Sequence, residues 1–124
     1  MKKHRNRRGA TAVEFALVAP IVFLVVLGLV EWARFEMVRQ VTSTATFNGA
    51  RAGALMGATD VDVETKVNNI LDVYFVNNAT TTTTFSDSKV TVNVKVPVGP
   101  NSFLLTRFFG QATLEREFEI MLEN

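Results

Sequence analysis

The chain has 124 residues, with 13 Lys and Arg, 12 Asp and Glu, and no Cys. This length is enough for one modest domain, and the absence of Cys excludes disulfide bonds, thiolate metal sites and a lipidated cysteine anchor. Five of the basic residues lie within the first nine positions, which leaves eight basic against twelve acidic residues from Ala10 onward. Because this basic head runs into an apolar stretch, it favours a membrane-targeting segment over nucleic-acid binding.

The apolar run after the head predicts a membrane-spanning helix. The sixteen residues between Glu14 and Glu31 carry no charge, and as a helix they extend about 24 Å, somewhat short of the ~30 Å hydrocarbon core of a bilayer. Adding residues 10–13 gives about 20 residues, the length that a spanning helix needs. By the positive-inside rule the basic head stays in the cytoplasm, and Trp32 suits the opposite interface. Pro20 predicts a kink in this helix.

Glu14 is the residue that an ordinary targeting signal does not explain. An ionised carboxylate at the edge of hydrocarbon is costly, so such residues are functional candidates. A secretory signal peptide needs a small-x-small cleavage site soon after the run, and "GLVEWARFE" offers no convincing one. A twin-arginine signal at Arg7 and Arg8 has weak support in so basic a head, whereas an uncleaved single-span anchor stays open. In a further alternative, Glu14 reaches the cytoplasmic headgroups by snorkelling and has little effect.

The order of these features resembles a known family. A basic leader, then Gly9, four residues, Glu14 and the aromatic Phe15 precede an apolar helix, which is similar to a type IV pilin-like (class III) signal. The form "GATAVEF", the continuation "FALVAPIVFLVVLGLVEWAR" and the later "NGARAGAL" resemble the TadE-like proteins of the tight-adherence (Tad/Flp) pilus system. The resemblance is strong from Arg7 to about Leu55 and loose beyond.

This resemblance implies a function, partners and a location. A membrane-embedded prepilin peptidase would cut the chain after Gly9, which makes Ala10 the new N-terminus. The product would be a minor pilin or pseudopilin in the assembly of a Tad/Flp-type pilus or secretion apparatus, with a role in cell adhesion or secretion. Its partners would be other pilins or pseudopilins, inner-membrane platform proteins and membrane lipid, with no nucleic acid. The implied location is the bacterial inner membrane, with one span, a cytoplasmic N-terminus and an extracytoplasmic C-terminal domain. The major pilin is little more than a helix, so the further domain here argues against the major fibre subunit.

Elementary chemistry supports a role for Glu14 independently. A glycine at the scissile position adopts an extended conformation cheaply. Cleavage after Gly9 would remove all five Lys and Arg of the head. It would also create an α-amino group at Ala10, which is largely cationic at neutral pH because the pKa of a free α-amino group is about 7.7–8.0. We therefore expect Glu14 to pair with the amine of a neighbouring, staggered subunit, since a paired carboxylate is better tolerated in low dielectric than a lone one.

The helical periodicity continues past the apolar run to about Met56, which gives a helix of about 47 residues or some 70 Å. Glu31 and Arg34 are three residues apart, a spacing that is favourable for oppositely charged residues on a solvated helix face. The first half of the helix would lie in the membrane and the second half in the soluble domain.

Small residues recur every four positions near the end of this helix: Ala45, Gly49, Gly53 and Gly57. Each glycine costs about 1 kcal/mol of helix propensity, so the stripe favours close packing by another element. The same residues equally permit the helix to end here. Arg51, within the stripe, is expected to be solvated or to form an ion pair.

A second helix and a threonine run follow. Thr59 or Asp60 can cap the helix. Its predicted apolar face, expected to be core, consists of Val63, Val67, Ile70, Leu71, Tyr74 and Phe75. The helix should end at Asn77 and Asn78. The sequence "ATTTTTF" then predicts either an edge strand or a loose loop.

Two alternating stretches predict an antiparallel sheet. The valines at even positions from 90 to 98 alternate with polar residues and Pro97, and the proline suggests that the end of this strand is unpaired or on an edge. In the second stretch, the apolar positions from Leu114 to Leu122, with Arg116 among them, alternate with Thr113 and three glutamates. We expect the acidic face in water and the apolar face against the helices.

An apolar cluster lies between these two strands, formed by Phe103, Leu104, Leu105, Phe108 and Phe109. If the cluster is exposed, it is a candidate partner surface. The competing interpretation is that the loop folds back to cap a small core.

The sequence does not indicate catalysis. The single His lies in the basic head, which leaves no partner for a Ser-His-Asp or Cys-His arrangement. Glycine-rich phosphate loops and metal-ligand spacings are also absent from the sequence. We therefore expect no enzyme, with no catalytic, cofactor-binding or metal-ligating residues.

Together these elements predict an α+β, pilin-like fold. A long N-terminal helix with a transmembrane first half would be followed by a second amphipathic helix and a small antiparallel β-sheet. Residues 1–9 are the expected cytoplasmic leader, 10–31 the transmembrane helix, and 32–124 an extracytoplasmic domain that includes the continuation of the first helix. The alternative function is an uncleaved, single-span membrane-anchored extracytoplasmic binding domain.

Overall fold

The computed structural model describes residues 7–103 and 111–122. The elements, in chain order, are α1 (Arg7–Gly53), α2 (Asp60–Val73), β1 (Thr80–Ser86), β2 (Lys89–Pro97), a short 3-10 helix (Gly99–Asn101) and β3 (Thr113–Met121). The three strands form one antiparallel sheet in the order β1-β2-β3. The predicted α+β class, with a long first helix, a second helix and a small antiparallel sheet, is confirmed.

Helix α1 has two halves with different surroundings. It runs for 47 residues, with Pro20 inside it, and ends three residues before the predicted Met56. No residue from 9 to 30 is buried, although most of them are apolar. Burial begins at Glu31, and from there the helix contributes Val38, Val41 and Ala45 to the core. Residues 9–30 therefore bury no side chain within their own chain, whereas the second half of α1 packs at the centre of the domain.

The core lies between the second half of α1, α2 and one face of the sheet. Its buried residues come from all three layers: Val38, Val41, Ala45, Ala50, Val63, Val67, Leu71, Val76, Val90, Val92, Val94 and Val96. Small and β-branched side chains dominate, so α1 and α2 can approach the sheet closely. Burial of apolar area at roughly 25 cal/mol per Å² makes this cluster the main source of stability.

Strand β2 lies at the centre of the sheet. It pairs with β1 from Thr80↔Lys95 to Ser86↔Lys89, and with β3 from Lys89↔Met121 to Pro97↔Thr113. The threonine run is thus an edge strand, one of the two predicted alternatives. Pro97 lies beyond Lys95, the last residue of β2 that pairs with β1, and it pairs only with Thr113 of β3. Proline has no N–H to donate, and this end of β2 has a neighbouring strand on one side only.

The outer face of the sheet carries the charges, as predicted. Lys89 and Glu119 approach to 3.0 Å, and Lys95 and Glu115 to 3.4 Å. The side-chain amide of Asn93 donates to Glu115 Oε1 at 2.7 Å. This hydrogen bond, with help from Lys95, lowers the pKa of the Glu115 carboxyl. Exposed pairs of this kind contribute little stability, and they keep this face in water.

Helix α2 begins at a capping box. The Thr59 hydroxyl accepts from the Asp62 N–H, and the Asp62 carboxylate accepts from the Thr59 N–H at 2.9 Å. The bonds from the Thr59 hydroxyl and backbone lower the pKa of Asp62. Val63, Val67 and Leu71 are buried, as the periodicity predicts.

The end of α2 differs from the prediction. The helix stops at Val73 rather than at the two asparagines, and Tyr74 and Phe75 are exposed rather than part of the core. The reason is a Schellman-type termination: the Phe75 N–H donates to the Asp72 carbonyl and the Val76 N–H to the Leu71 carbonyl. Phe75 has a φ of 55°, the left-handed conformation in which a glycine is usual. The turn brings Val76 into the core instead.

The glycine stripe combines the two predicted alternatives. A Cβ added at Gly49 would lie 2.6 Å from Val67 Cγ2, and one at Gly53 would lie 2.9 Å from Val90 Cγ1. These two glycines therefore permit close packing of α1 on α2 and β2. Gly57 lies outside the helix with a φ of +79°, so it belongs to the turn between the helices. Arg51 is exposed, with its guanidinium 5.9 Å from the centre of the Phe47 ring.

We predict that Gly49→Leu destabilises the domain by about 2 kcal/mol, because extra volume in a packed core forces neighbouring side chains away. Gly28→Leu is the matched control, since a Cβ at Gly28 meets nothing within 4 Å. The measurement is denaturant-induced unfolding of the full chain in detergent micelles. Equal unfolding midpoints for the two variants would show that the helix does not pack closely at Gly49.

Candidate functional site

The first half of α1, residues 9–30, is mostly apolar and has no buried residue. We refer to this segment as the apolar rod. Of the helices in the described part of the chain, α1 is the one long and apolar enough to cross a membrane, and its most apolar window has no buried residue. The exposed side chains include Phe15, Leu17, Ile21, Phe23 and Leu24. In water such a surface would aggregate, so the helix is suited to a single-pass membrane anchor.

Gly9, Ala10, Glu14 and Phe15, the residues of the predicted processing and pairing site, lie in the first two turns of this rod. All four are exposed. Ala10 and Glu14 are four residues apart on a continuous helix, so they lie on the same face, one turn from each other. The helix begins before the Gly9–Ala10 bond, at Arg7. A Cβ added at Gly9 would meet nothing within 4 Å, so its glycine is not required by packing.

Glu31 lies at the junction between the rod and the domain, and the expectation of a solvated face is wrong there. This residue is only 5% exposed. Its two carboxylate oxygens accept hydrogen bonds from the backbone N–H of Phe103, at 3.0 and 3.2 Å. A buried carboxylate is stable only when it is hydrogen-bonded, so this contact ties the loop after β2 to α1.

Arg34, one helical turn further along, forms a second set of hydrogen bonds between α1 and distant segments. Its guanidinium donates to three backbone carbonyls: Asn101 at 3.1 Å, Tyr74 at 3.1 Å and Phe75 at 2.9 Å. The same guanidinium lies 5.7 Å from the centre of the Phe103 ring. Arg34 therefore joins α1 to the end of α2 and to the 3-10 helix, and it is half-buried rather than on an open helix face.

Asn101 completes this junction. It is 4% exposed, and its side-chain amide donates to the carbonyls of Asn77 and Pro97 while its oxygen accepts from the Asn77 N–H at 2.7 Å. We refer to Glu31, Arg34 and Asn101 as the junction network. Apart from the bond between Asn101 and Pro97, the hydrogen-bonded residues of this network lie 24 to 72 positions apart in sequence, so residue spacing did not reveal it. The available signal was two opposite charges immediately after an apolar run.

A cavity of about 410 Å³ lies beside the junction network. It is lined by residues of α1, of the segment after β2 and of the start of β3: Glu31, Trp32, Phe35, Val38, Val98, Asn101, Ser102, Ala112, Thr113 and Leu114. The lining is mostly apolar, and no group of three His, Cys, Asp or Glu that could hold a metal ion occurs among the described residues. The chemistry of these residues suits an apolar contact rather than a reaction.

The predicted partner surface is only partly described. Phe103 is exposed. Leu104, Leu105, Phe108 and Phe109 lie outside the described residues. The choice between a partner surface and a core cap therefore stays a prediction.

We predict that Arg34→Lys lowers the stability of the domain by about 1–3 kcal/mol, because an ammonium group cannot reproduce the planar fork that reaches three carbonyls. Arg39→Lys is the matched control, since Arg39 makes only an exposed ion pair with Glu36 at 3.4 Å and should change stability by less than about 0.5 kcal/mol. Urea unfolding of the full chain in micelles measures both. Identical midpoints would mean that the junction network contributes nothing.

Comparisons with known proteins bear on the same helix. The family model of the TadE-like proteins matches residues 9–51, which is about a third of the chain and nearly all of α1. No curated protein matches the chain, and no solved structure does. The match begins at Gly9 and covers both Glu14 and the junction residues Glu31 and Arg34. The resemblance suggested by the sequence is thus confirmed: residues 9–51 match the model of the TadE-like family.

Proposed function

We propose that this chain is a minor pilin or pseudopilin that takes part in assembly of a Tad/Flp-type pilus or secretion apparatus. The family match associates the chain with the Tad pilus, and the TadE-like proteins are structural rather than enzymatic. The observation that most supports a role in assembly is the exposed apolar half of α1, with Glu14 near its start. An anchor alone needs no acidic residue there, whereas an assembling helix can use one.

The first step of the proposed function is removal of the leader, residues 1–9, by a prepilin peptidase. Because the Gly9–Ala10 bond lies in the first turn of α1, this turn must unwind before a protease can bind it in an extended form. Gly9 makes the unwinding easy, since glycine has low helix propensity and adopts extended conformations freely. Helix ends also fray more readily than interiors.

The second step is the pairing of Glu14. Cleavage replaces five basic side chains with a single α-amino group on Ala10, so the positive charge moves to the edge of the apolar segment. Within one chain Ala10 and Glu14 are one turn apart, and Glu14 is exposed to neighbouring helices. A neighbour displaced along the helix axis would place its new amine beside this carboxylate. Charge pairing in low dielectric then favours the staggered arrangement over others.

The domain would provide a surface for recognition of particular partners, which a helix alone lacks. Residues 32–124 include the soluble half of α1, α2 and the sheet, and they would lie on the extracytoplasmic side of the inner membrane. The expected partners are the prepilin peptidase, other pilins or pseudopilins, inner-membrane platform proteins and lipid. In the system that the sequence resembles, the major pilin is little more than a helix, so the further domain supports a minor role rather than that of the main subunit.

We predict that the mature chain begins at Ala10. Mass spectrometry of the protein purified from its own membrane should give the mass of residues 10–124, and Gly9→Val should restore the full-length mass because the branched side chain blocks the scissile position. Gly28→Val is the matched control: a Cβ meets nothing within 4 Å at either glycine, and this control should be cut normally.

A wild-type chain that retains Met1, or Lys2 after methionine removal, would contradict the processing step. The pairing step would then fail as well, because the amine of Ala10 would not exist. Such a result would favour the alternative function, an uncleaved membrane-anchored binding domain.

A further inference from the structure

Among the described residues, four aromatic side chains are exposed at the end of the domain that adjoins the apolar rod. They are Trp32, Tyr74, Phe75 and Phe103, with 65%, 45%, 78% and 68% of their surfaces exposed. We call this group the aromatic collar. Its members come from α1, the end of α2 and the segment after the 3-10 helix, so the fold and not the sequence order brings them together.

The junction network is what assembles the collar. Arg34 holds the backbone carbonyls of Tyr74 and Phe75, and its guanidinium lies 5.7 Å from the centre of the Phe103 ring. Glu31 holds the backbone N–H of Phe103. All three peripheral aromatics are therefore fixed to the same two turns of α1 that carry Trp32.

The position of these turns relates the collar to the membrane. The uncharged run ends at Val30, and Arg34 lies four residues later, about 6 Å along the helix axis. The collar is thus continuous with the exposed apolar surface of α1. It falls at the height where the hydrocarbon core gives way to the headgroup layer when the run spans a bilayer.

Phe75 is the member of the collar that stability does not explain. It occupies the left-handed position of the turn after α2, where glycine is preferred and a bulky residue is strained. Its ring also gains nothing from the core, since most of it is exposed. An aromatic residue at a strained, exposed position indicates a contact outside the chain.

We propose that the aromatic collar is a lipid-contact surface that inserts into the headgroup layer of the extracytoplasmic leaflet and seats the domain on the membrane. Aromatic rings are enriched at this interface, where a ring can meet both hydrocarbon and water. Lipid is favoured over a protein partner because the exposed Trp32 follows the exposed apolar run of α1 with only the buried Glu31 between them. The proposal rests on the membrane-spanning part of the proposed function, and is independent of leader cleavage.

The single tryptophan of the chain makes the proposal measurable. The full chain is placed in phosphatidylcholine nanodiscs whose lipids carry bromine atoms near the headgroup, and bromine quenches tryptophan fluorescence only on close approach. The native chain reports on Trp32. In a Trp32→Phe background, Phe75→Trp and Phe103→Trp report on the other two positions.

Phe85→Trp in the same background is the matched control. Phe85 is also an exposed aromatic residue, and its ring lies 3.7 Å from a Cβ added at Gly53. Gly53 is 19 residues beyond Arg34, about 28 Å along α1. We expect the probes at 32, 75 and 103 to lose similar fractions of their fluorescence to brominated lipid, and the probe at 85 to lose none.

The possible failures are distinguishable. If Trp32 is quenched but the probes at 75 and 103 are not, the helix spans the membrane and the collar proposal is wrong. If those two probes are shielded from aqueous iodide yet insensitive to brominated lipid, the chain itself or a second copy of it covers the collar, which also overturns the proposal. If Trp32 itself escapes quenching, the membrane-spanning part of the proposed function fails together with the collar.

Discussion

One 47-residue helix has an exposed apolar first half and a second half that packs in a core. The rest of the structure depends on the residues where these two halves meet. From residue 9 to residue 30 the helix has no buried residue, and after Glu31 it is the centre of a packed core. The change occurs within about one turn. There, the buried Glu31 carboxylate and the Arg34 guanidinium form hydrogen bonds with backbone groups of two distant segments. These hydrogen bonds fix the domain directly to the end of the apolar segment.

A rigid junction has a consequence for assembly. Because the domain is tied to α1 by a core and by charged hydrogen bonds, a shift or rotation of the apolar helix is transmitted to the domain. In the proposed assembly, the position of a subunit among its neighbours would be set near Glu14, and the sheet and α2 would move with it on the other side of the membrane. In the proposed assembly, leader removal, the pairing of Glu14 and the contact of the aromatic collar with lipid would occur at three positions along the same continuous helix.

The sequence predicted those features that depend on local pattern. Alternating valines specified β2, helical spacing specified the buried face of α2, and a charge-free run specified the exposed half of α1. The glycines showed that either packing or termination occurs near the end of α1, and the structure assigns packing to Gly49 and Gly53 and the turn to Gly57.

The features that were missed depend on contacts between distant segments. Glu31 and Arg34 suited a wet helix face by spacing alone, because the carbonyls and the N–H that they bind lie 40 to 72 residues away. Tyr74 and Phe75 continued an apolar pattern, and only the left-handed turn at Phe75 excludes them from the core.

The central claim is that Glu14 is one half of an ion pair between subunits, and the most direct test is the incorporation of a Glu14→Gln chain into the assembled apparatus. Glu64→Gln, which changes an exposed glutamate on α2, is the matched control, and both chains are first shown to be membrane-inserted and to begin at Ala10. The measurement is the fraction of each chain in the assembled fraction when it competes with the native chain. The ion pair predicts at least a tenfold loss for Glu14→Gln, equivalent to ~1.4 kcal/mol, and no loss for the control. Equal incorporation of the two variants would contradict the claim.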